Sequence, residues 1–104
     1  MIKVTLREKD DEIIGFSCRG HAGYAPEGSD IVCAAVSCLT QSCVNALETV
    51  AGVQARVSIG DGSMDVLLPD NAGRDAQVIM LFLRQGLRDV AEAYPQYLQL
   101  TEKK

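Results

Sequence analysis

Twice along this chain the spacing of apolar residues switches from every second position to every third or fourth, and that double switch narrows the fold more than any other feature. Ile2-Lys3-Val4-Thr5-Leu6-Arg7 alternates apolar with polar, as a strand with one face on a core does. A polar turn, Lys9-Asp10-Asp11-Glu12, separates it from Ile13-Ile14-Gly15-Phe16-Ser17-Cys18, so the two runs predict a hairpin. Ser29 or Asp30 then offers a side-chain oxygen to cap a helix running to about Val50, with Gly52 as its stop. Val32, Ala35, Val36, Leu39, Cys43, Ala46, Leu47 and Val50 fall on one stripe of that helix.

The pattern repeats. Val53 to Ile59 and Met64 to Leu68 predict a second hairpin about Gly60-Asp61-Gly62-Ser63, closed by Pro69. A second helix from about Asp75 to Tyr94 turns Ala76, Ile79, Met80, Leu83, Leu87, Val90 and Tyr94 inward, and Pro95 ends it. Residues 96–101 alternate again and supply a last strand. The order ββαββα plus a short C-terminal strand predicts an α+β two-layer sandwich, a mixed or antiparallel sheet with both helices packed on one face. At 104 residues there is room for one domain, taken as 1–104. Val78, Leu81 and Phe82 lie off the inner stripe, so the second helix is apolar nearly all round in its first half, and a homodimer seam is the simplest account.

Charge and cysteine usage exclude several classes. The formal net charge is −4 and the ten Lys and Arg are scattered along the sequence, so no continuous positive surface is evident and direct nucleic-acid binding is not expected. No uninterrupted apolar run reaches the roughly 20 residues of a bilayer span, and the start lacks a signal peptide's apolar block, so neither membrane insertion nor export is expected and the chain is placed in the cytoplasm. Cys18, Cys33, Cys38 and Cys43 are accordingly expected as reduced thiols. Three of them are five apart, which turns successive thiols about 140° round a helix. With one His and no Cys-x-x-Cys, no metal or other cofactor is expected.

Among the thiols, Cys33 has a reason to react. A thiol attacks carbonyls as the thiolate, and a cap at Asp30 would put Cys33 in the first turn of its helix, where unpaired N–H groups favour negative charge. It sits on a flank of the apolar stripe continued by Ser37 and Thr40, whereas Cys43 belongs to the core, Cys18 to a strand and Cys38 to another side of the helix. The one histidine, His21, stands twelve positions upstream, beyond Gly20 and before the glycine-bearing segment of residues 22–29. An imidazole beside a thiol can pair with its thiolate and later protonate a leaving amine, and the helix start can donate N–H groups to an oxyanion. Residue types alone leave a second reading open for each: Cys33 as a small buried hydrophobe, His21 as a surface residue, Asp30 as a cap and nothing more, Ser37 as a small residue that permits close packing.

Gly20-His21-Ala22, followed by a glycine-containing segment and Gly28-Ser29-Asp30-Ile31-Val32-Cys33-Ala34-Ala35-Val36-Ser37, resembles the two-part signature of the ribosomal-processing cysteine protease family, Prp. The resemblance implies that Cys33 and His21 form a catalytic dyad that hydrolyses a peptide bond. It implies supporting or substrate-lining roles for Asp30, Ser37, Gly20 and Ala22, and a homodimer. The implied substrate is the N-terminal extension of bacterial large-subunit ribosomal protein number twenty-seven, a short hydrophobic peptide for which residues 22–29 would act as a lid. Two other functions remain: a non-catalytic ribosome-associated domain that binds a peptide without cutting it, and a thiol redox sensor pairing Cys33 with Cys38, which their spacing on a helix opposes.

Overall fold

The computed structural model of the chain describes residues 1–20 and 27–104, with side chains resuming at position 31. The elements follow the expected order: β1 (Ile2–Lys9), β2 (Glu12–Arg19), α1 (Glu27–Thr49), β3 (Arg56–Gly60), β4 (Ser63–Leu67), α2 (Arg74–Ala93) and β5 (Leu98–Lys103). The five strands form one sheet in the order β3-β4-β2-β1-β5. All neighbours are antiparallel except β1 and β5, which run parallel, Ile2 opposite Leu98 and Lys3 opposite Gln99. The fold is therefore α+β with a mixed sheet.

Alternation decides which face is covered. Ile2, Val4 and Leu6 of β1, Phe16 of β2, Val66 of β4 and Leu98 of β5 are all buried, and the cross-strand register aligns them in rows on the side of the helices. Val32, Val36, Cys43 and Leu47 of α1 and Ala76, Met80, Leu83 and Leu87 of α2 complete the core above them. Among the described residues the other face of the sheet carries no helix and is largely polar. Val50, expected on the α1 stripe, is instead 67% exposed, because the helix ends at Thr49 and the stripe ends with it.

The second hairpin turns at Asp61-Gly62 as its sequence suggests, whereas the first turns more tightly than expected. The Lys9-to-Glu12 turn contracts to Asp10 and Asp11, both in left-handed conformation with φ of 52° and 64°, the geometry of a two-residue turn that suits the twist of the strands. A register shift between Arg7 and Glu8 puts a bulge near that end. There the Gln77 side chain reaches from α2 and bonds the backbone of Ile13 twice: its amide oxygen accepts from Ile13 N–H and its amide nitrogen donates to Ile13 C=O, both at 2.9 Å. A side-chain amide thus stands in for a neighbouring strand where β4 has ended.

By length and composition Ile31–Thr49 is apolar enough to cross a membrane, with a mean hydropathy of 1.4, a property that a search for uninterrupted apolar runs passes over. In the fold Val32, Val36, Cys43 and Leu47 of this segment join the core, while Ile31 is 59% exposed.

Candidate active site

Cys33 lies on the flank of α1, half-buried, between the fully buried Val32 and the exposed Ala34. Four residues on, Ser37 is half-buried on the same side. Thr40, expected to continue that open flank, is buried at 3% exposure, and its hydroxyl donates to the Val36 carbonyl at 2.9 Å. The hydroxyl is satisfied within its own helix, which is what permits a threonine to sit in the core.

The start of α1 differs from the sequence expectation. The helix begins at Glu27, so Asp30 is inside the first turn rather than its cap, and Cys33 is in the second turn. Pro26-Glu27 is an equally good start signal in sequence, since proline and acidic residues both suit a helix N-terminus. Cys33 is thereby a turn further from the unpaired N–H groups than a cap at Asp30 would put it, and the field of a helix start fades within the first turn.

The neighbour that sequence reasoning missed is Cys18. The β1–β2 and β2–β4 registers put Cys18 opposite Val4 and Met64, on the helix side of the sheet and beneath α1. Its thiol is pushed above the usual range, mainly by burial and then by the nearby Cys33 thiol, with Arg19 pulling weakly the other way. Cys18 and Cys33 are thus close enough to interact through charge, and both pack against the core. The even spacing of Phe16 and Cys18 in β2 carried the signal: with Phe16 turned toward the core, Cys18 is turned the same way.

From Cys18 an apolar row runs outward across the sheet. Met64 is opposite Cys18, and Ile59 of β3 is opposite Met64. Among the described residues the helices leave this end open: Met64 is half-buried and Ile59 is 71% exposed, with Val57 beside it at 37%. A half-exposed thiol therefore stands at the head of an uncovered apolar strip that ends at the free edge of β3, the setting in which an extended peptide could be held by backbone and side chains together.

Gly20 ends the second strand at φ 86°, and its N–H donates to the Gly62 carbonyl at 2.9 Å. A side chain there would collide with the Met1 carbonyl oxygen, 2.6 Å from an added Cβ, so glycine is required for both conformation and space. His21 and Ala22 lie outside the described residues, as do the side chain of Asp30 and most of the segment expected to act as a lid. Among the described residues no group of three His, Cys, Asp or Glu is arranged to hold a metal ion.

The matching family model fixes the class first: it describes a cysteine protease, Prp, and covers residues 1–99, so the chain is a cysteine-type peptidase. The Bacillus subtilis (strain 168) ribosomal processing cysteine protease Prp is 31% identical over 97% of this chain and 96% of its own length. SMU.848 from Streptococcus mutans superposes with a TM-score of 0.93 at 30% identity, over 99% of this chain and 94% of that one. The ribosomal processing protease Prp of Staphylococcus aureus, solved with a covalently linked product peptide, gives a TM-score of 0.89 at 26% identity, over 99% of this chain and all of that one. The same S. aureus protease with a substrate peptide gives 0.91 at 25% identity, with the same coverage. The chain belongs to the Prp family of cysteine proteases.

Proposed function

We propose that this chain is a ribosomal-processing endopeptidase that removes the N-terminal extension of large-subunit ribosomal protein number twenty-seven, with Cys33 as nucleophile and His21 as its proton-transfer partner. One observation carries the reading: in a Prp-family chain, the thiol that falls in the family signature is half-exposed at the head of an uncovered apolar strip. His21 is three residues beyond Cys18 in sequence, and Cys18 is the neighbour of Cys33. Gly20 anchors the segment at its base, Ala22 and Asp30 flank it in sequence, and Ser37 lines the open side of α1.

In this mechanism the Cys33 sulfur attacks the scissile carbonyl carbon, and the His21 imidazolium gives its proton to the departing amine as the C–N bond breaks. A thioester links the new C-terminus to Cys33. Imidazole then takes a proton from water, the hydroxide adds to the thioester, and the carboxylate product leaves with the thiol restored. Ile59, Met64 and Val57 receive the bulky apolar side chains of the extension, each side chain that is fully covered gaining about 1.5–3 kcal/mol.

The working form is a homodimer in the cytoplasm. Its seam is the groove of about 440 Å³ between α1 and α2, lined by Leu39, Cys43, Val78, Ile79 and Phe82 among others. Phe82 at 73% exposure and Val78 at 51% would be covered by a second copy. Light scattering after gel filtration reads this directly: Phe82→Asp should convert a dimer to a monomer, and a monomeric parent would refute the seam.

The activity is tested by incubating the reduced protein with a peptide spanning the extension and its junction. Mass spectrometry should show one cut with the parent and none with Cys33→Ala, Cys33→Ser or His21→Ala, all three keeping the parent's circular dichroism. A parent that binds the peptide but leaves it whole would identify a non-catalytic binding domain instead.

A further inference from the structure

The face of the sheet turned away from the helices gathers charge that the sequence scatters. Alternation and register put Lys3, Arg7 and Lys9 of β1, Arg19 of β2, Arg56 of β3 and Lys103 of β5 on this face, six of the chain's ten Lys and Arg, and all six are exposed. Between them stand Thr5, Ser17, Ser58, Ser63 and Thr101. Among the described residues the acids on this face are Asp65, held by both guanidinium contacts of Arg19 at 2.9 Å and by the Ser17 hydroxyl at 2.7 Å, and Glu12, which faces Lys9 at the turn end of the hairpin. A chain of net charge −4 thus carries a strongly cationic open sheet, and the rest of its surface is correspondingly more acidic.

The pattern is costly as well as lopsided. Lys3 is directly opposite Arg19, and Arg7 is directly opposite Lys103. Like charges facing each other across strands destabilise a sheet; Asp65 offsets the first pair through Arg19, and an anion is needed to turn the second from a burden into a site. A depression of about 430 Å³ lies over the second pair, lined by Thr5, Arg7, Glu8, Ser17, Lys103 and Lys104. Glu8 is already engaged by Arg84 at 3.6 Å.

We propose that this open sheet face binds the sugar–phosphate backbone of double-helical RNA. Phosphates neutralise the opposed cations, and the hydroxyl array suits the phosphates and 2′-hydroxyls exposed across the shallow groove of A-form RNA. Among its described residues the face presents no aromatic ring on which an unpaired base could stack, which favours a double helix over single-stranded RNA. Among the described residues Leu67 is its one large exposed apolar residue, too little to insert into a bilayer, which favours RNA over an anionic membrane. The surface is on the opposite side of the sheet from Cys33, so RNA and peptide can be held at the same time, and recognition follows shape rather than sequence.

Fluorescence anisotropy with a fluorescein-labelled RNA hairpin of 16 base pairs tests this. Binding should fall at about 1–100 µM at 50 mM NaCl and weaken steeply with added salt. Lys3→Gln with Arg7→Gln should weaken it at least fivefold and reduce the salt slope by about 2, one for each cation removed. That variant should also keep the parent's rate on a short peptide and have an equal or higher Tm, since it relieves both opposed pairs. Arg74→Gln with Arg88→Gln removes as much charge from the helix side, keeps the Arg84–Glu8 pair in place, and should leave RNA binding unchanged. No salt-dependent binding by the parent up to 200 µM, equal loss in the helix-side control, or tighter binding to the matching DNA duplex or to anionic phosphatidylserine vesicles would each overturn the assignment. Because anisotropy and peptide cleavage are read separately, failure of one leaves the other standing.

Discussion

Gln77 offers a sharp test of how the two layers are joined. Its amide makes two bonds of 2.9 Å to the backbone of Ile13, next to the bulge where β1 and β2 lose register. Each is worth about 1 kcal/mol net, and removing the side chain also leaves an N–H and a C=O that are only partly open to water. Gln77→Met keeps the length and apolar stem while deleting both bonds, so it should cost about 2 kcal/mol. For a domain of this size that is a fall in Tm of roughly 8–16 °C. Gln77→Glu retains an acceptor for Ile13 N–H but points a carboxylate at Ile13 C=O, and should be at least as damaging at neutral pH. Differential scanning calorimetry of parent, Gln77→Met and Gln77→Glu reads the difference. A Gln77→Met protein melting within about 2 °C of the parent would show that solvent replaces these bonds without loss and that the bulge needs no support from α2.

Leu87→Ala empties a site with no solvent exposure where α2 meets the core, and should cost about 2–5 kcal/mol by urea denaturation with an unchanged m-value. Burial pushes the Cys43 thiol up to about 11. Between about pH 9 and 11 the unfolded chain therefore releases a proton that the folded chain keeps, stability falls as pH rises through that window, and the loss approaches about 2–3 kcal/mol at its upper end. Cys43→Ala should flatten the denaturation midpoint over that window relative to the parent; parallel curves would exclude the effect. Ile59→Asp should lower kcat/KM on the extension peptide about tenfold or more through KM, with kcat on saturating peptide little changed, because it removes binding surface and leaves the thiol alone.

Alternation in residues 2–7 and 13–18 and the two helical stripes were enough to read the element order, because each pattern reflects one covered face. What remained hidden depends on partners rather than periods. Nothing in residues 96–101 says that β5 lies parallel to β1, since a strand's own sequence records burial and not its neighbour. The Asp10-Asp11 turn is written as a longer loop because aspartate rarely adopts positive φ, and here the twist of the hairpin imposes it. The motif singled out Cys33 and His21 as candidates, whereas Cys18 emerged only once register put it on the helix side of the sheet. The Asp30 cap misled because several residues around 26–30 are good helix starters and tertiary packing chooses among them. The cationic face was invisible for a related reason: Lys3, Arg19, Arg56 and Lys103 are far apart in sequence and meet only across strands.

The pairing of β1 with β5 also governs how such a chain is made. A first strand whose second flank is filled only by the last strand must wait, through synthesis of everything between, with one row of amides open. Until the final segment arrives the half-built sheet has a sticky border, so shortening or delaying that segment should favour clumping over loss of local order. In this architecture the tail works as the clasp of the whole sheet.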